Sequence, residues 1–249
     1  MIDAQTTSRW YFAVTMGRKA GHLALGIGKT AGTTLTVIPE EFQRKKVPLD
    51  QLSKIVVGAI VKRLSHNRND GVAVFAEGLG KCLTQEELTE LGLIEHDEHG
   101  HLRFAELDIG KILKDCVVKE LKSHGIKMTL VSKNIGYELR CADPIPYDME
   151  YTRDLGYCAA QYLLDGGNAA MVTIDNGQFS PMLFKDILDQ ESGRTKVRMV
   201  DINSEYYRIA KAYMTRLSQE DLADHSLIQQ YANILSISAE DFMTKFSSF

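Results

Sequence analysis

Three short segments carry the side chains of this sequence that are best suited to binding a charged small molecule. They are residues 16–18 (Met-Gly-Arg), 77–79 (Glu-Gly-Leu) and 136–140 (Gly-Tyr-Glu-Leu-Arg). An arginine guanidinium can hold two phosphate oxygens at once, and a carboxylate can accept hydrogen bonds from sugar hydroxyls. Glycine lets backbone amides approach a ligand closely. Together these residue types predict a site for a phosphorylated sugar.

Strand and helix patterns alternate along most of the chain and place these segments. Apolar, β-prone runs predict strands at residues 10–15, 33–38, 71–76, 127–131 and 169–174. Small or periodic apolar residues predict helices at residues 19–31, at 52–64, after Asp108 and after Asp148. The alternation predicts a Rossmann-like, doubly wound three-layer α/β/α sandwich, whose ligands bind at loops after the carboxyl ends of strands. The three segments take such positions.

Local signals predict several further elements. Thr84 and Glu87 have the spacing of a capping box at the start of a short helix. Ser218 and Ser238 are placed to cap helices of a helical C-terminal tail. Residues 178–184 are expected to pair locally.

Composition excludes several classes of function. The 249 residues are 44% hydrophobic and 25% charged, which is enough for a substantial core, and the formal net charge is −4. Lysine and arginine are scattered, so no broad basic face is expected for nucleic acid or for a membrane surface. With neither a long apolar run nor a secretion-signal pattern, we expect a cytoplasmic protein. Cys82, Cys116, Cys141 and Cys158 form no C-x-x-C pair, so we expect reduced, mostly buried thiols.

The sequences of the three segments resemble the acceptor-site motifs of the phosphofructokinase family. They read Thr-Met-Gly-Arg at 15–18, Ala-Glu-Gly-Leu at 76–79 and Gly-Tyr-Glu-Leu-Arg at 136–140, and Ala-Asp-Pro-Ile-Pro-Tyr-Asp follows at 142–148. The order and spacing match from about residue 9 to residue 184. The resemblance implies a fructose 6-phosphate (acceptor) domain in residues 1–139. Residues 140–249 would return to a donor domain and add the C-terminal helices.

The resemblance also implies roles for individual residues. The residues that would contact the fructose part are Met16, Gly17 and Glu77. Arg18 would face the phosphoryl group in transit and stabilise it. Tyr137 and Arg140 would hold the 6-phosphate.

Two further residues match the family by their distance from these motifs. In the family, an arginine placed like Arg9 reaches the 6-phosphate of a neighbouring subunit, so we expect a homodimer or homotetramer. Lys133 takes a similar part, because a lysine shortly before the Gly-Tyr pair recurs in pyrophosphate-using members, although the spacing here differs. Lys133, the Tyr137 region and the overall sequence of the motifs favour pyrophosphate over ATP as the donor.

The implied reaction transfers a phosphoryl group from pyrophosphate (or ATP) to the 1-hydroxyl of fructose 6-phosphate and gives fructose 1,6-bisphosphate in glycolysis. The family's glycine-rich phosphate loop, Gly-Gly-Asp segment and catalytic Thr-Ile-Asp-Asn-Asp motif do not precede Arg9. We therefore expect this chain alone to hold the acceptor without turnover, and Mg²⁺ to bind with the donor, mostly outside it. We assign it no metal ligand. The alternative is a non-catalytic sugar-phosphate-binding or regulatory subunit that partners a catalytic chain.

Three other patterns resemble functional motifs only in part. Residues 173–176 (Thr-Ile-Asp-Asn) resemble part of the catalytic motif but run into Gly177, which is typical of a turn. Residues 26–30 (Gly-Ile-Gly-Lys-Thr) lack the first glycine of a phosphate-binding loop, so we predict a helix there. His96, His99 and His101 lie in an acidic, turn-like stretch, and we do not assign them to a metal.

Overall fold

A parallel β-sheet forms the centre of the first of two units in the computed structural model, which describes residues 1–42, 45–90, 94–96, 102–104, 108–136, 138–190 and 193–247. The strands in chain order are β1 (Arg9–Thr15), β2 (Leu35–Val37), β3 (Gly71–Ala76), β4 (Ile94–His96), β5 (Leu102–Phe104), β6 (Thr129–Ile135), β7 (Ala170–Met171), β8 (Ile174–Asp175), β9 (Gln178–Phe179) and β10 (Met182–Leu183). The helices are α1 (Ile2–Thr7), α2 (His22–Ala31), α3 (Leu49–Leu64), α4 (Gln85–Glu90), α5 (Ile109–Ser123), α6 (Glu138–Cys141), α7 (Pro146–Leu164), α8 (Phe184–Ile187), α9 (Glu205–Ala212), α10 (Gln219–Ala223), α11 (His225–Leu235) and α12 (Ala239–Phe246). A short 3₁₀-helix follows β2 at Pro39–Phe42, and another follows β3 at Glu77–Cys82.

The two units have different bounds from the two predicted domains. The first comprises Met1–Gly136 and Met199–Phe249, and the second is Tyr137–Arg198. The chain thus returns to the first unit, and its C-terminal helices belong there. Among the described residues no helix is both long and apolar enough to cross a membrane.

The central sheet has the strand order β2-β3-β1-β6, and every pairing in it is parallel. In register, Thr15 of β1 lies beside Ala76 of β3 and Ile135 of β6. The carboxyl ends of these strands therefore meet at one edge of the sheet. This edge is where the predicted site segments begin.

Alternating side chains of the sheet bury two hydrophobic faces, as expected from the two-residue period of a strand. Trp10 and Phe12 face a large core with α3, α5 and the C-terminal helices, and the rings of Phe12 and Phe75 meet edge-on at 5.2 Å. Trp10 is wholly buried against Gly71, where a Cβ atom would lie 2.6 Å from the indole ring. Only glycine therefore fits beside this indole.

The opposite face of the sheet forms the second core. Ala13 and Val74 point there and pack with Leu25 of α2 and Tyr207 of α9. Helices thus cover both faces of the sheet, which confirms the predicted three-layer α/β/α sandwich.

The predicted helix caps are confirmed in the structure. The Thr84 hydroxyl accepts a hydrogen bond from the backbone N–H of Glu87 and donates one to the Glu87 carboxylate. Asp108 accepts from a backbone N–H in the first turn of α5, and Ser218 and Ser238 do the same for α10 and α12.

Several predicted boundaries were wrong, among them those of the strand predicted at 33–38, which is Leu35–Val37, and the helix predicted at 52–64, which begins at Leu49. The helix predicted at 19–31 begins at His22, and the strand predicted at 127–131 is Thr129–Ile135. The helix predicted after Asp148 begins earlier, at Pro146, because Asp148 lies in its first turn and accepts the backbone N–H of Ile145 at 3.0 Å. The strand predicted at 169–174 is divided into β7 and β8.

The second unit combines α7 with two small antiparallel pairs. β8 pairs with β9 and β10 with β7, which confirms local pairing of residues 178–184. Tyr162 of α7 lies against Gly167, where a Cβ atom would lie 2.4 Å from its ring, and meets Phe179 edge-on at 5.7 Å. Glycine at 167 is what allows α7 and the strand pairs to share this contact.

The four cysteines are free thiols, as expected, but the expectation that most are buried was wrong. Cys82 is buried, Cys116 and Cys158 are partly buried, and Cys141 is exposed. Burial raises the pKa of the Cys82 and Cys116 thiols. These two are therefore poorly reactive at neutral pH, since the thiolate is the nucleophile.

Candidate functional site

The loop after β1 has a backbone conformation that requires glycine. Gly17 has φ +136°, in the region that other residues rarely adopt. A Cβ atom there would lie 2.9 Å from the carbonyl oxygen of Ala20. The loop therefore folds tightly onto itself between Thr15 and α2, and this folding directs Arg18 outward.

A second glycine brings three loops together at the carboxyl edge of the sheet. A Cβ atom at Gly78 would lie 3.0 Å from the Gly17 carbonyl oxygen, 3.2 Å from that of Arg18 and 3.2 Å from Cγ of Pro39. These residues belong to the loops after β3, β1 and β2. Side chains at 17 and 78 would force the loops apart, so the motif glycines create the junction.

Arg18 and Glu77 form an ion pair above this junction. Arg18 Nε lies 3.1 Å from Glu77 Oε1, and the two side chains are 70% and 36% exposed. An ion pair this open to water contributes little to stability, so either group can exchange its partner for a ligand at small cost. The pair presents a cation and a hydrogen-bond acceptor side by side, which suits an anionic, hydroxyl-rich ligand.

Met16 connects this junction to the neighbouring strand. Its backbone N–H donates to the carbonyl oxygen of Ile135, the last residue of β6, at 3.3 Å. Its side chain is half-buried. The structure therefore places Met16, Gly17, Arg18 and Glu77 together, as the sequence predicted.

Lys133 and Arg9 lie elsewhere on the sheet. Lys133 is an exposed residue inside β6, opposite Ala13, and not in a loop beyond the predicted strand. It lies two residues before the end of β6. Arg9 is exposed at the first residue of β1, six residues before Thr15, or about 20 Å from the carboxyl edge. The structure therefore does not bring Arg9 to Met16, Gly17, Arg18 and Glu77 of the same chain.

The third segment spans the boundary between the units. Tyr137 lies outside the described residues. Arg140 belongs to the second unit, on the short helix α6, with an exposed side chain. It follows β6 by five residues along the chain.

Three charged residues beside the junction were not predicted from the sequence. Glu40 and Glu41 lie in the turn after β2, and Arg216 comes from the C-terminal region. Arg216 binds both carboxylate oxygens of Glu41, at 2.6 and 3.2 Å, and donates to the carbonyl oxygen of Thr36 at 2.8 Å. The rule that ligand loops follow strands applies equally to residues 39–41, so the two glutamates could have been found. Arg216, more than a hundred residues away in sequence, could not.

Tyr207 shares the surroundings of this buried pair. Burial, and next the negative charge of Glu41, raise the pKa of Tyr207. The phenol therefore stays protonated at neutral pH.

The weaker sequence patterns have structural roles. Asp175 ends β8, and Asn176 (φ 49°) with Gly177 (φ 75°) forms the two-residue turn of a hairpin. Positive φ at both positions is typical of such turns. Residues 26–30 lie inside α2, as predicted. Of the three histidines, His96 lies in β4, while His99 and His101 lie outside the described residues.

We expect Gly17→Ala to disrupt the junction without unfolding the chain. A backbone strained at positive φ costs about 1–3 kcal/mol, and the added methyl group meets the Ala20 carbonyl. The free energy of unfolding in urea should fall within that range, and the variant should lose binding of the phosphorylated sugar that the sequence predicts as ligand. Gly32→Ala is the matched control, because Gly32 also has positive φ (61°) but its Cβ position is open. Equal ligand binding by both variants would contradict this account of the loop.

Comparison with curated proteins found relatives over nearly the whole chain. It is 42% identical, over 99% of its length, to the pyrophosphate–fructose 6-phosphate 1-phosphotransferase of Naegleria fowleri and covers 58% of that protein. It is 43% identical, over 99% of its length, to the Thermotoga maritima protein of the same name and covers 60% of it. The chain thus spans about three fifths of the length of these relatives. No family model matches it.

Comparison with solved structures found the same fold. The pyrophosphate-dependent phosphofructokinase from Marinobacter aquaeolei matches with a TM-score of 0.55 at 16% identity, over 95% of this chain and 51% of that one. Phosphofructokinase from Saccharomyces cerevisiae matches with a TM-score of 0.54 at 16% identity, over 98% of this chain and 27% of that one. At this identity the likeness concerns the fold.

Proposed function

Because the chain belongs to the phosphofructokinase family, we propose that it binds fructose 6-phosphate at the carboxyl edge of its central sheet. The whole protein then transfers a phosphoryl group from pyrophosphate to the 1-hydroxyl of this sugar and forms fructose 1,6-bisphosphate, a glycolytic step. The names of the relatives support pyrophosphate over ATP as the donor.

The observation that carries the proposal is the Arg18–Glu77 pair above the glycine junction. The Glu77 carboxylate can accept from the hydroxyls of the fructose part, beside Met16 and Gly17. Arg18 then faces the transferred group, where charge spreads over the phosphoryl oxygens. A fixed cation at that point stabilises the transition state more than the ground state, which is what accelerates the reaction.

The 6-phosphate is assigned to Arg140 and Tyr137, with Lys133 in support. The guanidinium of Arg140 can hold two phosphate oxygens, and the exposed ammonium of Lys133 adds positive charge on β6. In this division of roles residues 1–139 form the acceptor domain. The remaining residues, 140–249, connect it to the donor domain and supply the C-terminal helices.

Magnesium is proposed to bind with the pyrophosphate donor. Among the described residues no group of three or more His, Cys, Asp or Glu side chains could hold a metal ion. We therefore derive no step through the ion from this chain.

A homodimer or homotetramer is proposed because Arg9 lies at the opposite end of β1 from Arg18. Arg9 would complete the 6-phosphate site of a neighbouring subunit. The four free thiols support a reducing compartment, the cytoplasm.

The second candidate function is a regulatory chain that binds the same sugar phosphate without transferring phosphate. It uses the same pair and the same junction. The two functions differ only in turnover, so an assay of product formation by the whole protein separates them.

Calorimetric titration of the purified chain with fructose 6-phosphate, with fructose as the control ligand, tests the binding site. A parallel assay measures fructose 1,6-bisphosphate formation with Mg²⁺ and either pyrophosphate or ATP. We expect binding that requires the phosphate. We also expect no product from this chain alone, because it covers only about three fifths of the length of its relatives and phosphoryl transfer needs a positioned donor. Product with either donor would overturn that expectation. Failure to bind fructose 6-phosphate would overturn the site.

A further inference from the structure

Glu40, in the turn after β2, is a buried acid that bonds to two distant parts of the backbone. Its side chain is only 7% exposed. Oε1 accepts the backbone N–H of Gly21 at 2.8 Å and that of Val200 at 3.0 Å. The carboxylate thus joins residues that are far apart in sequence.

The first partner, Gly21, ends the loop that carries Arg18. It lies three residues after Arg18 and caps the ten-residue helix α2. A Cβ atom at Gly21 would lie 2.8 Å from Oε2 of Glu40 and 2.4 Å from Cβ of Ile38. Glycine here makes room for the carboxylate, so the Arg18 loop is fixed at one end by the glycine junction and at the other by Glu40.

The second partner, Val200, lies where the chain re-enters the first unit. The second unit ends at Arg198, and Val200 is buried beside Leu25 of α2. One oxygen atom of Glu40 therefore ties the end of the Arg18 loop to Val200, the second residue of the C-terminal part of the first unit.

The charge of Glu40 matters to this arrangement. Oε2 has no hydrogen-bond partner among the described residues, and a buried carboxylate oxygen without a partner costs free energy. The charge is offset because the carboxylate lies at the amino end of α2 and accepts two backbone N–H groups. A neutral amide would accept the same bonds more weakly.

We infer that Glu40 is a positioning residue for Arg18, acting through the backbone of Gly21. The inference rests on the proposed function, since it assigns Glu40 an effect on the ligand group that Arg18 faces. That group is the phosphate at position 1 of the product. Replacing Glu40 should therefore weaken the binding of fructose 1,6-bisphosphate more than that of fructose 6-phosphate. A general loss of stability would weaken the binding of both ligands alike.

The test compares Glu40→Gln with Asp221→Asn by titrating the purified chain with each sugar phosphate. Asp221 is also 7% exposed, but it pairs with Lys62 and caps α10. We expect Glu40→Gln to weaken fructose 1,6-bisphosphate binding about 10-fold and fructose 6-phosphate binding clearly less. Asp221→Asn should leave both affinities unchanged. Equal weakening for both ligands, or no weakening, would overturn the inference.

A double-mutant cycle and an NMR measurement complete the test. On an Arg18→Ala background, Glu40→Gln should have no further effect on fructose 1,6-bisphosphate binding, because Glu40 acts through Arg18. Additive effects would overturn the inference. The amide proton signals of Gly21 and Val200 should move upfield in Glu40→Gln. If that variant does not fold, Glu40→Asp, which keeps the charge but is one methylene shorter, takes its place with the same outcomes.

The wild-type chain separates failure of this inference from failure of the proposed function. Absence of fructose 1,6-bisphosphate and fructose 6-phosphate binding by the wild type would overturn the proposed function, and this inference with it. Wild-type binding that Glu40→Gln leaves unchanged would overturn the inference alone.

Discussion

Glu41→Ala is expected to lower the free energy of unfolding by about 3–5 kcal/mol, because it leaves the buried Arg216 without its counter-charge. The two side chains are only 10% and 13% exposed, so water cannot take over the lost contact. Arg216 would keep its hydrogen bond to the Thr36 carbonyl, but it would lose the negative charge that offsets its own. For a chain of this size the melting temperature should fall by about 6–20 °C, measured by circular dichroism.

Glu205→Ala is the matched control for this prediction. Glu205 also pairs with an arginine, Arg208, but the two side chains are 65% and 70% exposed. Exposed pairs of this kind contribute little, so no measurable change in melting temperature is expected. If Glu41→Ala had the same melting temperature as Glu205→Ala, the Glu41–Arg216 pair would not stabilise the connection between the C-terminal region and the turn after β2.

Arg140→Ala is expected to weaken binding of fructose 6-phosphate by about 1.5–3 kcal/mol, which is roughly a 10- to 150-fold increase in Kd. The reason is the loss of a charge-assisted contact with the 6-phosphate. Because Arg140 is exposed on the short helix α6, its removal creates no cavity and the fold should be unaffected. Calorimetric titration measures the change in Kd.

Two controls sharpen the Arg140 prediction. Arg140→Lys keeps the charge but loses the planar, two-pronged geometry, so it should recover only part of the affinity. Arg153→Ala removes another exposed arginine of the second unit, on α7, and should leave Kd unchanged. An unchanged Kd in Arg140→Ala would contradict the assignment of this segment to the 6-phosphate.

The sequence predicted the elements of the fold well where local signals decide them. β3 has the predicted bounds, 71–76, since it is a short, nearly all-apolar run. The caps by Asp108, Ser218 and Ser238 depend on a single side chain close to its own helix, and they are confirmed.

Boundaries that depend on distant partners were less predictable. Ser132, Lys133 and Asn134 are polar and gave no strand signal, yet they belong to β6 because they pair in register with β1. Residues 19–21 were predicted to begin a helix, because the run from 19 to 31 is rich in small residues. Instead they form the end of a loop, because the conformation of Gly17 and the bond from Gly21 to Glu40 hold them there.

The same division applies to the candidate site. Its motif residues Gly17, Arg18 and Glu77 could be found because each follows a strand that local patterns predict. The residues that support them could not, since Glu40 and Arg216 act through contacts that only the folded chain creates. Sequence thus predicts which groups meet the ligand better than it predicts which groups hold them in place.

The burial of Trp10 gives the protein a built-in optical probe. It is the single tryptophan of the sequence, and its ring lies in the first unit against Gly71. Its fluorescence therefore originates from one place, the large core beside the central sheet, and a red shift of its emission marks the entry of water there. The second unit contains no tryptophan, so unfolding confined to it would leave the emission maximum unchanged. The tryptophan signal can thus follow the melting of the first unit by itself.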